Sequence, residues 1–188
     1  MFIITGTPRS GTKYISEVLS IAHEQCFVPG GPKLPLVNEA SWLAVPYVEQ
    51  YPQVTVVHLI RNPLDVVTSL VRIGHMDITS TGRGRDPFVR FLYEHCPQAA
   101  LPTPEESAIR FYIDWNRRAS AVSDDTWRLD LLDFNYIEKV TGRVVNPGVP
   151  RNTNSKPHRN DRTPDFSGVP VALWNEFTDY AKELGYEL

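Results

Sequence analysis

The chain has 188 residues, 41% of them hydrophobic and 22% charged, with a formal net charge of −3. That length suits one domain with a substantial core, here residues 1–188 as a single unit. The slight acidity excludes the broad basic face that non-specific nucleic-acid binding needs, and no apolar run approaches the roughly 18–20 residues of a membrane span.

The first strand, Phe2 to Thr5, runs directly into Gly6-Thr7-Pro8-Arg9-Ser10-Gly11-Thr12-Lys13. A helical pattern comes next, with Ile15, Val18, Leu19 and Ala22 on one face. Strand, glycine-bounded loop and helix together form the arrangement that cradles phosphates, because the free N–H groups of a helix start point at the anion. A nucleotide-hydrolysing loop reads G-x-x-x-x-G-K-[ST], whereas here Thr12 comes after the second glycine, lysine stands one place later and Arg9 sits inside the loop. With a strand starting at residue 2, no secretory leader is expected, and the chain is expected to be cytoplasmic. Cys26 and Cys96 lack C-x-x-C spacing and read as reduced thiols.

Residues 41–48 are expected to form a short helix. Val54 to Ile60 is a β-branched, nearly continuous apolar run, as in a strand covered on both faces. Arg61-Asn62-Pro63 then leads into a helix carrying Leu64, Val67, Leu70 and Val71 inward. Residues 74–104 show no clear periodicity and contain Arg83, Arg85 and Arg90. A long helix is expected from Thr103, as its cap, to about Ser120. A third strand is expected over Trp127–Leu132, a helix over Asp133–Thr141, a basic loop over 146–168 that includes Lys156, and a last helix over about Pro170–Leu184. Alternating strands and helices define an α/β fold, a three-layer sandwich with a parallel β-sheet flanked by helices, and ligands bind at the carboxyl ends of such strands.

Two stretches combine at those ends: Pro8-Arg9-Ser10-Gly11-Thr12, and Arg61-Asn62-Pro63 with Ser69 eight residues after the arginine. In this pairing the chain resembles the sulfotransferase family, enzymes that use 3′-phosphoadenosine 5′-phosphosulfate (PAPS). The resemblance covers the chain well to about residue 73 and loosely beyond. It implies a P-loop NTPase-like fold, a 5′-phosphosulfate site built from Arg9, Ser10, Gly11, Thr12 and Lys13, and a 3′-phosphate held by Arg61 and Ser69. It also implies that Lys156 lies in a late segment closing over the nucleotide. The family's late G-x-x-G-x-W-K stretch is absent.

The implied reaction is in-line transfer of a sulfuryl group to the hydroxyl or amine of a small-molecule or glycan acceptor, leaving adenosine 3′,5′-bisphosphate and requiring no metal. Arg9 stabilises the charge that grows on the leaving oxygen. A general base must take the acceptor's proton, and three residues remain open for that role: Glu24, Glu39 and His23. Two rival readings stand beside this one. A P-loop nucleoside or nucleotide kinase shares the opening loop, and a non-catalytic sulfotransferase-like module would bind the nucleotide without a base.

Overall fold

A computed structural model describes residues 1–76, 86–150 and 163–188. The chain divides into two compact units, Met1–Arg61 with Arg118–Lys156 and Asn62–Arg117 with Pro157–Leu188. Among the described residues no helix is long and apolar enough to cross a membrane.

The first unit is built on a five-stranded parallel sheet. Its strands are β1 (Phe2–Thr5), β2 (Ala22–His23), β5 (Glu39–Ala40), β6 (Thr55–Ile60) and β7 (Asp125–Arg128), in spatial order β2-β5-β1-β6-β7. A small antiparallel pair, β3 (Phe27–Val28) and β4 (Gly31–Pro32), comes after β2 in the chain. Every residue of β1 is buried, and so are both faces of β6 from Val56 onward. That explains the unbroken apolar runs, since a parallel sheet covered on both faces has no polar side to alternate with.

Two helices lie on one face of this sheet. From α1 (Thr12–Leu19), Tyr14, Ile15, Val18 and Leu19 pack with Phe2, Ile4, Val57, Leu59 and Trp127. Ile137 of α5 (Phe134–Thr141) joins the same cluster. The start of α5 is fixed by Asp133, whose carboxylate accepts from the Asn135 and Tyr136 amides. On the opposite face Ile3, Thr5, His58 and Ile60 are also buried.

The second unit contains α2 (Pro63–Ile73), α3 (Pro87–His95), α4 (Pro104–Ala121) and α6 (Val171–Glu183). An aromatic core joins α3, α4 and α6: Phe91 and Phe111 meet Trp115, and Phe177 meets both Tyr112 and Trp174. Arg110 forks onto Glu176 with bonds of 3.1 and 2.6 Å, linking α4 to α6.

Several expectations change at the level of elements. Ala22 belongs to β2 and not to α1, because Ser20 turns left-handed (φ 50°) and ends the helix. Residues 41–48 form two 3-10 turns, Trp42–Ala44 and Val48–Gln50, in place of one helix. The third strand starts two residues early and stops at Arg128, with a 3-10 turn at Leu129–Leu131 after it. Its partner in the sheet, β6, ends at Ile60, opposite Arg128, so pairing runs out there. Helix α3 lies in the stretch where no periodicity is expected from the sequence; Asp86 caps it by accepting from the Phe88 amide, with Pro87 in the first position. Thr103 does cap α4, accepting from the Glu106 amide.

Leu59 sits at the centre of β6 with no exposed surface. Leu59→Ala is expected to destabilise the protein by about 2–5 kcal/mol, read from the midpoint of denaturant unfolding.

Candidate anion site at the carboxyl edge of the sheet

All five strands run the same way, so one edge collects the segments that leave their carboxyl ends. After β1 comes the loop Gly6 to Lys13, at the end of β2 stand His23 and Glu24, and after β6 comes Arg61. The chain leaves β1 through α1 toward β2 on one side, and β6 has β7 on the other. The crevice between the carboxyl ends of β1 and β6 is therefore a topological switch point, where open parallel sheets bind ligands.

Gly6 is required by close approach. A Cβ there would run into the Leu59 carbonyl oxygen of β6 and would stand 2.9 Å from Ser10 Oγ. Gly11 has φ 107° and would press an added Cβ against the Leu129 side chain at 2.9 Å. Arg9 adopts a left-handed φ of 75°, a conformation that costs a residue with a Cβ of order 1–3 kcal/mol. Strain of this kind concentrates at ligand clamps.

The start of α1 has Gly11 as its cap, with no capping side chain and no acidic residue in its first turn. Its first N–H groups lack intrahelical acceptors and carry the positive end of the helix dipole. Next to them, Thr7 Oγ1 and Ser10 Oγ are buried without a hydrogen-bond partner among the described residues. Buried hydroxyls in proteins are nearly always bonded, so two orphans in one glycine-bounded loop mark a place for acceptor oxygens.

Two guanidiniums add charge to this edge. Arg61 Nη1 donates to the Arg9 carbonyl at 3.4 Å, spanning the crevice. Burial, and then repulsion from Arg61, bring the Arg9 guanidinium below its ordinary range, although an arginine remains cationic. Like charges held together away from water favour the arrival of an anion, which relieves both effects.

His23 stands at the lip of the same loop. Its Nε2 lies 3.4 Å from Thr12 Oγ1 and 3.5 Å from Glu24 Oε1. Burial foremost, and then Lys13, depress its pKa, while Glu17 opposes them. Lys13 itself pairs loosely with Glu17 at 3.9 Å. Glu24 is half-buried with φ 51°. Glu39 has no exposed surface, and its two carboxylate oxygens accept from the Gln25 and Cys26 amides at 2.8 and 2.6 Å.

Of the residues singled out in the sequence, Arg9, Ser10, Gly11, Thr12, Lys13, His23, Glu24 and Arg61 thus gather at one edge. Glu39 lies just behind it, inside the sheet. Ser69 is half-buried midway along α2, in the second unit. Lys156, Arg83 and Arg85 lie outside the described residues. Arg90 is exposed on α3. Trp42, Trp115 and Trp127 are all buried. Sequence reasoning does not pick out Thr7 as a separate site residue, although a hydroxyl beside the loop's first glycine is a usable signal. Leu129, which packs over Gly11, has no such signal, because it comes from a distant part of the chain.

The chain has no significant match among family models, curated proteins or solved structures. Function accordingly rests on the site itself.

Gly6→Ala is expected to cost about 1–3 kcal/mol, seen as a lowered melting temperature, because the Leu59 carbonyl cannot move without breaking the sheet. A second expectation concerns pH. The folded pKa of His23 lies below the ordinary 6.5, so the unfolded chain binds this proton more readily. The stability tied to neutral His23 is full above about 6.5 and is lost as pH falls through the depressed folded value. His23→Gln should flatten that acid limb in melting temperature measured against pH.

Proposed function

We propose that the chain is a sulfotransferase that takes PAPS as sulfuryl donor, on a fold of the P-loop NTPase-like kind. The observation that carries this reading is the pair of orphaned hydroxyls, Thr7 Oγ1 and Ser10 Oγ, buried at the uncapped start of α1 beside Arg9 and Arg61. The absent lysine at position 12 removes the side chain that reaches the β- and γ-phosphates in nucleotide hydrolases. Arginine in the loop brings a fixed, forked donor instead, suited to a tetrahedral oxyanion.

The residues present fit a ligand that carries anionic groups. The backbone of Gly6 to Lys13, with Arg9, Ser10 and Thr12, would hold the 5′ end, and Arg61 the 3′-phosphate. PAPS, when bound, supplies the sulfuryl group and a phosphate leaving group. Arg9, already at the loop in a fixed backbone conformation, stabilises negative charge growing at that end without reorganising. The acceptor's proton goes to His23 Nε2, which its surroundings keep neutral near pH 7. A neutral imidazole is the form a general base requires. Glu24, 3.5 Å away, stabilises the imidazolium that results. The acceptor is a small molecule or glycan bearing a hydroxyl or amine.

Calorimetric titration with adenosine 3′,5′-bisphosphate and with ATP, each with and without Mg²⁺, tests the reading. Metal-independent binding of the bisphosphate, and not of ATP, is expected. Preference for Mg²⁺-ATP would replace it with a kinase. Arg9→Ala should reduce turnover of PAPS by at least about 100-fold, and Arg61→Ala should weaken bisphosphate binding by about 10-fold or more. Full turnover in Arg9→Ala would remove the mechanism.

A further inference from the structure

We infer that Glu39 is a positioning residue, whose buried carboxylate fixes the turn at Glu24 and thereby holds the His23 imidazole at the mouth of the anion loop; this rests on the sulfotransferase reading of that loop. Glu39 lies on β5 between β1 and β2, opposite Ile3 on one side and Ala22 on the other. A carboxyl group with no exposed surface needs hydrogen-bond partners inside the protein. It is bonded to two consecutive backbone amides, Gln25 to Oε1 and Cys26 to Oε2.

The residue before those amides is Glu24, at φ 51°. Successive N–H groups around a left-handed residue form a concave nest that binds an anion. Here the anion is internal, the Glu39 carboxylate itself. The segment 22–26 therefore wraps around one side chain. Ala22 and His23 pair with Glu39 and Ala40 by backbone, and Gln25 and Cys26 bond the carboxylate. Strand pairing fixes the His23 backbone, and the nest fixes Glu24, whose carboxylate with the Thr12 hydroxyl brackets the ring. The charged and polar groups around the ring are Thr12, Lys13 and Glu17 on α1 and Glu24 on its own segment. Glu39 acts on the ring through the turn.

Glutamine at position 39 would bring one accepting oxygen and a donor against an amide donor, so one of the two amides loses its partner. Aspartate keeps the charge but is a methylene short.

The test uses the full chain and NMR titration of the His23 imidazole, assigned by comparison with His23→Gln, in wild type and Glu39→Gln. In folded Glu39→Gln the turn loosens, and the imidazole should titrate closer to the ordinary histidine value of about 6.5. Its affinity for adenosine 3′,5′-bisphosphate should stay within about twofold, since the loop at Gly6 to Lys13 is intact. A His23 titration identical to wild type in folded Glu39→Gln would overturn the assignment and leave Glu39 as a buried structural group. If Glu39→Gln does not fold, Glu39→Asp takes its place with the same expected and contrary results. Wild type carries a separate readout, with the Gln25 and Cys26 amides expected to exchange with solvent as slowly as those of β1. Rapid exchange would equally overturn the assignment. Absence of bisphosphate binding in wild type would refute the anion-site reading while leaving the His23 comparison fully readable.

Discussion

Parallel pairing of β1 with β5 on one side and β6 on the other puts three strand ends at one edge, and the site depends on that arrangement. The register sets Ile4 against both Ala40 and Val57, so the loop after Thr5 and the turn at Ser41 emerge level with each other, while β6 runs on past His58 to Ile60 before Arg61. Thr5 Oγ1 donates to the Ser41 carbonyl at 2.8 Å and ties two of these ends together. The tight approach of Gly6 to the Leu59 carbonyl comes from the same pairing, because any side chain at position 6 would push β1 and β6 apart at their ends.

From that edge the electrostatics obey a single logic. The start of α1 presents uncompensated N–H groups, Arg9 is held in a strained conformation, and Arg61 reaches across to the Arg9 carbonyl. Each feature raises the local positive potential in a chain that is negative overall, so the field is focused and not spread over the surface. Beside them lie two buried hydroxyls without partners among the described residues, Thr7 Oγ1 and Ser10 Oγ, where bonded hydroxyls are the rule.

The side of the site around His23 is organised differently. His23 receives its position from a strand pairing only two residues long, and such a strand alone sets a direction poorly. The carboxylate of Glu39 supplies the missing constraint from inside the sheet. Two glutamates thus have separate tasks: Glu24 faces the imidazole, and Glu39 shapes the backbone that presents it.

The sequence by itself determined β1, the loop and α1, the strand at 55–60 with Arg61 at its end, and the α/β class with a parallel sheet. These are legible because glycine spacing, apolar runs and helix period are local signals. The helix at 87–95 is short and follows a glycine-rich stretch, which masks it, although Val89 and Leu92 recur on one buried face and Asp86-Pro87 is a local start signal. Only the tertiary structure decided where β7 stops, since its length is set by its partner. It also decided the surroundings of Glu39, which has no exposed surface and accepts from two backbone amides. Its spacing from Arg61 makes it a candidate base in the sequence, and whether a glutamate faces solvent or backbone amides depends on the strands beside it, here β1 and β2. Burial and partnership come from residues far apart in the chain, and that is why composition and spacing reach the glycine-bounded loop but not the turn at Glu24 that Glu39 bonds.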